Sequence, residues 1–130
     1  MEEQIQYEPK RKNRFSITFP NGYNIEPWMI IRADKPKYNM FGWETMEIVF
    51  TDTIGVSVTQ SLYKLIGKDS DLPLNTSIKY EMLDPTGVVV EEWIITGEIS
   101  YIDFGTLNYA HDFNVEPRIL IKPTSCVLTF

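Results

Sequence analysis

The 130-residue chain holds a single cysteine, Cys126, and a single histidine, His111. One cysteine forbids an internal disulfide. Set in an apolar alternation with Leu128, it reads as a small buried hydrophobe. One thiol and one imidazole cannot make a Cys/His zinc site. Any nucleophile would have only His111 as its base, and His111 falls in a loop segment. No G-x-G-x-x-G or G-x-x-x-x-G-K-[ST] run is present to cradle a phosphate. No apolar run approaches the roughly 20 residues of a membrane helix. The opening MEEQIQYEPKRKNRF lacks the apolar stretch of a signal peptide, so synthesis in the cytoplasm is expected. Positive charge is also in deficit, with 12 Lys and Arg against 18 Asp and Glu and a net charge of −6. A surface built to grip nucleic acid would be basic. An acidic surface past which DNA slides stays compatible, because it repels phosphate. Adjacent Glu91 and Glu92 point to opposite faces of a strand and cannot act as a carboxylate pair. Asp69 and Asp71 sit in a polar loop where nothing tunes a pKa. The expectation is therefore a protein that is not an enzyme and uses no metal or cofactor.

Apolar residues make up 43% of the chain and aromatics 13%, enough for one domain with a real core. Residues 1–12 read as a polar arm ending in Lys10, Arg11 and Lys12, and residues 13–130 as the domain. The most informative stretch is YEMLDPTGVVVEEWIITGEISYIDFGTLNY, residues 80–109. Ile78, Tyr80 and Met82 alternate into it. Asp84, Pro85 and Gly87 then occupy the positions a type I turn favours. The chain returns through residues 88–96, rich in β-branched and aromatic types, which predicts a hairpin. That returning strand is apolar at nearly every position except Glu91 and Glu92, implying burial on both faces in the monomer or against a partner. Gly97 marks a bend or bulge before a further strand over 98–103.

Elsewhere, period-two alternation predicts strands over 14–19, 28–32, 43–51, 77–83, 115–122 and 125–130, the last two joined through Pro123. Pro117 makes that end of its strand an edge or unpaired. Val58, Leu62, Leu65 and Ile66 form one helical stripe. Ser57 and Gln60 are spaced as a capping box, Asp52 is a rival cap, and Gly67 is the expected stop. Eight strands and one helix with hairpin-length links predict a mainly β fold: an antiparallel β-sandwich or barrel with one flanking α-helix. Residues 34–42 form a loop or extended hairpin tip, and Tyr38, Phe41 and Trp43 are many aromatics for such a place. The closing strand from Cys126 carries no charge. Both features look like surfaces awaiting a neighbour.

The run Leu83, Asp84, Gly87, Glu92, Trp93, Gly97, Ile99, Ile102, Asp103, Phe104, Gly105, Leu107, Tyr109 and Asp112 resembles the C-terminal half of contractile-tail bacteriophage tail tube proteins. Asn13-Arg14-Phe15 with Phe19-Pro20 fits the opening of the same family, related in fold to type VI secretion inner-tube proteins. The resemblance spans residues 13 to about 126. It implies a structural virion protein, made in the host bacterial cytoplasm and located in the virion tail. Hexameric rings would stack into a hollow tube for DNA ejection, with sheath, baseplate and tail terminator proteins as partners. DNA would pass without specific binding. On this analogy the arm (Lys10, Arg11, Lys12) and the loop (Tyr38, Phe41, Trp43) become inter-ring contact candidates. Trp93, Phe104, Leu107 and Tyr109 become intra-ring or core candidates. Glu47, Lys79, Glu81, Glu98, Asp103 and Glu116 lie on or beside strands opposite apolar positions and become lumen-facing candidates. The chain is short for the family, and its segment after the helix is brief. A baseplate tube initiator, a tail completion protein or a secretion-system inner-tube protein are alternatives of the same fold. A monomeric barrel binding an apolar ligand is the alternative of another class.

Overall fold

The computed structural model describes residues 9–55, 57–66, 72–110 and 114–130. Gly67 and Lys68 at the expected helix end, Asp69, Asp71, His111 and Asp112 lie outside the described residues.

Among the described residues there are eight strands and one α-helix: β1 (Phe15–Thr18), β2 (Ile30–Ala33), β3 (Tyr38–Asn39), β4 (Gly42–Trp43), β5 (Met46–Phe50), α1 (Val58–Ile66), β6 (Leu74–Leu83), β7 (Val89–Asp103) and β8 (Arg118–Leu128). Six form one antiparallel, nearly closed, barrel-like sheet in the order β1-β6-β7-β8-β5-β2, and β3 and β4 form a separate hairpin. The strand count agrees with the sequence reading, but its membership differs. The segments read as two strands around Gly97 are one fifteen-residue strand, β7. The two closing strands are likewise one, β8. The reason is that Gly97 and Pro123 face each other across the ladder, where the register shifts between Thr96 and Gly97. Each breaker occupies the irregularity that the other requires, and the ladder continues beyond them. The expected strand over 28–32 starts only at Ile30, as β2; Trp28 and Met29 belong to a 3-10 turn, Pro27–Met29, because proline at its first position presets φ and lacks the N–H a strand partner would need.

The inner face of the sheet carries Ile17, Ile78, Ile95, Ile99, Ile119, Ile121, Met46, Ile48 and Phe50, all below 2% exposed. The helix adds Val58 and Leu62, and the 3-10 turn adds Met29. Cys126 is buried and unbridged, as expected. The 84–87 turn forms as its residues dictate. Asp84 Oδ1 accepts from the N–H groups of Thr86 (2.8 Å) and Val88 (2.9 Å), and Gly87 takes a φ of +87°.

Two residues share the helix cap. Asp52 accepts from Val58 N–H at 2.8 Å and from the Thr59 hydroxyl at 2.6 Å, while Ser57 Oγ accepts from Gln60 N–H at 3.2 Å. Burial alone would raise the Asp52 carboxyl; the Thr59 and Val58 hydrogen bonds bring it below its usual range. Asp52→Ala is expected to cost about 1 kcal/mol, the usual worth of a cap, and Ser57→Ala less, because its bond is long and exposed. Urea denaturation midpoints of the two variants check the ranking.

Candidate assembly interface

At one end of the barrel the chain gathers the arm, the β3–β4 hairpin and the 84–87 turn. The link among the first two is Glu91. Strand parity sets Glu91 with Trp93 and Ile95 on the inward face, so its side chain is only 9% exposed. A buried carboxylate needs partners, and three supply them. Lys10 Nζ of the arm and Lys35 Nζ each lie 2.6 Å away, and Trp93 Nε1 donates at 2.7 Å. Burial alone would raise the Glu91 carboxyl; the two ammonium groups and the indole outweigh it and hold the pKa at about 2. The sequence reading correctly sent Glu91 and Glu92 to opposite faces but gave Glu91 no role. The available signal was an acid sharing the parity of a tryptophan and an isoleucine.

The hairpin is anchored by tilted and edge-on aromatic contacts. The Tyr38 and Trp43 rings lie 4.7 Å apart, and Trp43 meets Trp93 edge-on at 6.3 Å. Trp43 and Trp93 are therefore partly buried packing residues of this chain. Beyond the anchor the tip is open: Phe41 is 91% and Met40 90% exposed. Met40 was missed in the sequence, where loop position hid its apolar character. Lys10, Arg11 and Lys12 are exposed, so the three basic arm residues flank the same end.

Glu47, Lys79, Glu81, Glu98 and Asp103 all stand on the outer face of the sheet, and Glu116 lies in the segment before β8. The register sets Lys79 beside Ile94, Glu81 beside Glu92, Glu98 beside Lys122 and Asp103 beside Arg118. The face is mixed in sign. Arg118 contacts Glu47 Oε2 at 2.8 Å and Asp103 Oδ2 at 3.2 Å, and Arg32 reaches Glu47 Oε1 at 3.1 Å. The Gly105 N–H, then Arg118, hold the Asp103 carboxyl below its usual range. A polar surface cavity of about 320 Å³ lies between Arg32, Arg118, Asp103 and Glu116. Ile94 and Glu92 on this face are half-exposed, so β7 is not covered on both faces within the monomer.

Two stretches of backbone lack a ladder partner on one side among the described residues. β5 pairs with β8 only over Arg118–Ile121, and β1 pairs with β6 only over Lys79–Met82. Val127, Leu128 and Phe130 are more than half exposed beside the first. At the opposite end of the barrel from Glu91, Phe104 packs on the core, but Leu107 and Tyr109 do not: both project from the loop. Phe104 also borders a shallow apolar groove with Thr59, Gln60, Tyr63 and Lys64 of α1.

The fold is thus a barrel-like sheet with one flanking helix and a projecting hairpin. Solved structures share the overall fold. The chain is similar to a chain of the anti-feeding prophage cap, described as the tube terminating cap (TM-score 0.69, 11% identity, 99% of this chain and 95% of that one). It is also similar to a chain of the anti-feeding prophage baseplate, solved with 6-fold symmetry applied (TM-score 0.65, 10% identity, 95% of this chain and 97% of that one). At these identities the likeness is one of fold. No family model and no curated protein matches the sequence.

Proposed function

We propose that this chain is a structural subunit of a phage-like tail, a tube-type protein that assembles as hexameric rings stacked around a hollow lumen. The observation that carries the reading is the match, over nearly the whole length of both partners, to chains of a tube cap and a six-fold baseplate. The tail-tube-like run from Leu83 to Tyr109 supports it, as do the unpaired edges of β6 and β8, which offer backbone hydrogen bonds to neighbours. In this reading rings close by rotation and stack head to tail. The outer sheet face with Glu47, Lys79, Glu81, Glu98 and Asp103 lines the passage, DNA passes without specific binding, and sheath, baseplate and terminator proteins are the partners.

A second reading, a subunit at the end of the tube, is favoured by the neighbours themselves, one from a terminating cap and one from a baseplate. The ligand-barrel alternative has less support, because Phe50, Ile95, Ile99 and Ile121 fill the interior. Negative-stain electron microscopy with light scattering tests the proposal. Rings or even-width tubes at high protein concentration are expected. Single rings that never stack would favour the tube-end reading, and a strict monomer in all conditions would count against both.

A further inference from the structure

Asn21 is the only asparagine of this chain followed by glycine. Between buried Phe19 and buried Ile25 the chain turns through residues 20–23, and Asn21 and Gly22 at the tip are exposed. Gly22 has a φ of +95°, and nothing beyond its chain neighbours stands within 4 Å of where a Cβ would be. The bond that closes the turn, from the Tyr23 N–H to the Pro20 carbonyl, is long at 3.3 Å. Among the described residues no hydrogen bond holds the Asn21 side chain. Asn39 and Asn108, by contrast, each fix Oδ1 on the backbone N–H two residues on, at 2.8 and 2.9 Å. We infer that Asn21–Gly22 is a modification site, where the asparagine deamidates without an enzyme and the main chain converts to isoaspartate. The inference stands apart from the assembly reading.

The chemistry follows from what glycine lacks. No Cβ at residue 22 obstructs the approach of its amide nitrogen to Asn21 Cγ, and the backbone there is free to rotate. Hydroxide takes the Gly22 N–H proton, the N–Cγ bond forms and the Cγ–Nδ2 bond breaks. The leaving nitrogen takes a proton from water and departs as ammonia, which leaves a cyclic imide. Water then opens the imide. Attack at Cγ gives aspartate; attack at the Asn21 carbonyl carbon gives isoaspartate, with the chain running through Cβ and Cγ. Either product takes up one water, releases one ammonia and makes the formal charge one unit more negative than −6. Only isoaspartate adds a methylene to the main chain. That added length breaks the Tyr23–Pro20 closure where the turn positions two contacts. The Tyr23 ring packs on Phe19 at 6.0 Å, and the Asn24 carbonyl accepts from Ser61 Oγ of α1 at 3.2 Å. The turn thus seats α1 beside β1, and its conversion loosens that seat.

The test incubates the full-length chain in mildly acidic and mildly alkaline buffer and maps its trypsin peptides by mass spectrometry. The peptide over residues 15–32 holds both Asn21 and Asn24. Asn24 is the internal control, because its successor is the β-branched Ile25. Asn21 is expected to deamidate at least ~10-fold faster than Asn24, whose neighbour crowds the attacking nitrogen. The rate at Asn21 should rise in the alkaline buffer, since that nitrogen must lose its proton, and fragmentation should show isoaspartate. The aged protein, isolated by its extra negative charge, is expected to melt about 4 °C lower, the shift for one lost turn bond in a domain of this size. Freshly made Asn21→Asp carries the charge without the added methylene and is expected to melt like the fresh wild type. Equal rates at Asn21 and Asn24 would overturn the proposal. So would an Asn21 that reacts in urea but stays intact in the folded chain, since the turn would then hold the peptide in a form that cannot close. Isoaspartate with an unchanged melting temperature would keep the site and refute its part in seating α1.

Discussion

Gly97→Ala is expected to destabilise the fold by about 3 kcal/mol, the upper part of the range for overpacking. A Cβ at this position would stand 2.4 Å from the Lys122 carbonyl oxygen and 2.7 Å from Pro123 Cα. Both are backbone atoms, so no rotamer change relieves the clash. The obstruction is spatial: the close approach of β8 at the bulge takes the room that a side chain would fill. β8 could retreat only by breaking the ladder on either side, between Glu98 and Lys122 and between Thr96 and Ser125. Thermal melting should show a loss of roughly 10 °C. Gly55→Ala, where nothing lies within 4 Å, supplies the neutral control. A loss below about 1 kcal/mol for Gly97→Ala would mean that β8 shifts freely and that the bulge is soft.

The second large effect concerns assembly and leaves the fold alone. On the proposed tube reading, Met40→Ser with Phe41→Ser is expected to raise the concentration required for ring stacking by at least ~100-fold, since a few exposed apolar anchors carry most of an interface's energy. The melting temperature should stay within about 2 °C, because surface side chains that touch little contribute little to stability. The anchor of the hairpin, Tyr38 on Trp43 at 4.7 Å, is untouched by the change. Sedimentation velocity across a concentration series separates the two readouts. Unimpaired stacking would remove the hairpin tip from the inter-ring surface. A large drop in melting temperature would show that the tip folds onto its own chain.

Much of this architecture was legible from local chemistry. The 84–87 turn, the helix over Val58–Ile66 and the inward alternation of Ile78 and Tyr80 depend on neighbours within a few residues. Sequence reasoning failed where two distant residues explain each other. Gly97 reads as a strand end until Pro123 is placed opposite, and Pro123 reads as a break until Gly97 makes room. Glu91 is the same case in the candidate interface. Its parity is local, but Lys10 lies 81 residues away, and only the folded sheet brings the pair together. The aromatic cluster was visible; its division was not. Trp43 turns inward to Trp93, while Phe41 and the overlooked Met40 turn out, because the hairpin reverses between Asn39 and Gly42. Leu107 and Tyr109, intra-ring or core candidates on the family analogy, project from a loop whose glycine, Gly105, has a φ of +106°.

The unbroken course of β7 also has a mechanical meaning. Its fifteen residues reach from near the Glu91 cluster to Asp103 at the opposite end. At about 3.3 Å per residue that is roughly 50 Å of covalent chain. Ladder bonds to β6 and β8 run across the strand. A pull between the two ends therefore loads many of these bonds in shear at once, not one after another as in unzipping. Such a strand ties the Glu91 end of the barrel to the end that holds Asp103, and two strands joined at a turn near Gly97 would not.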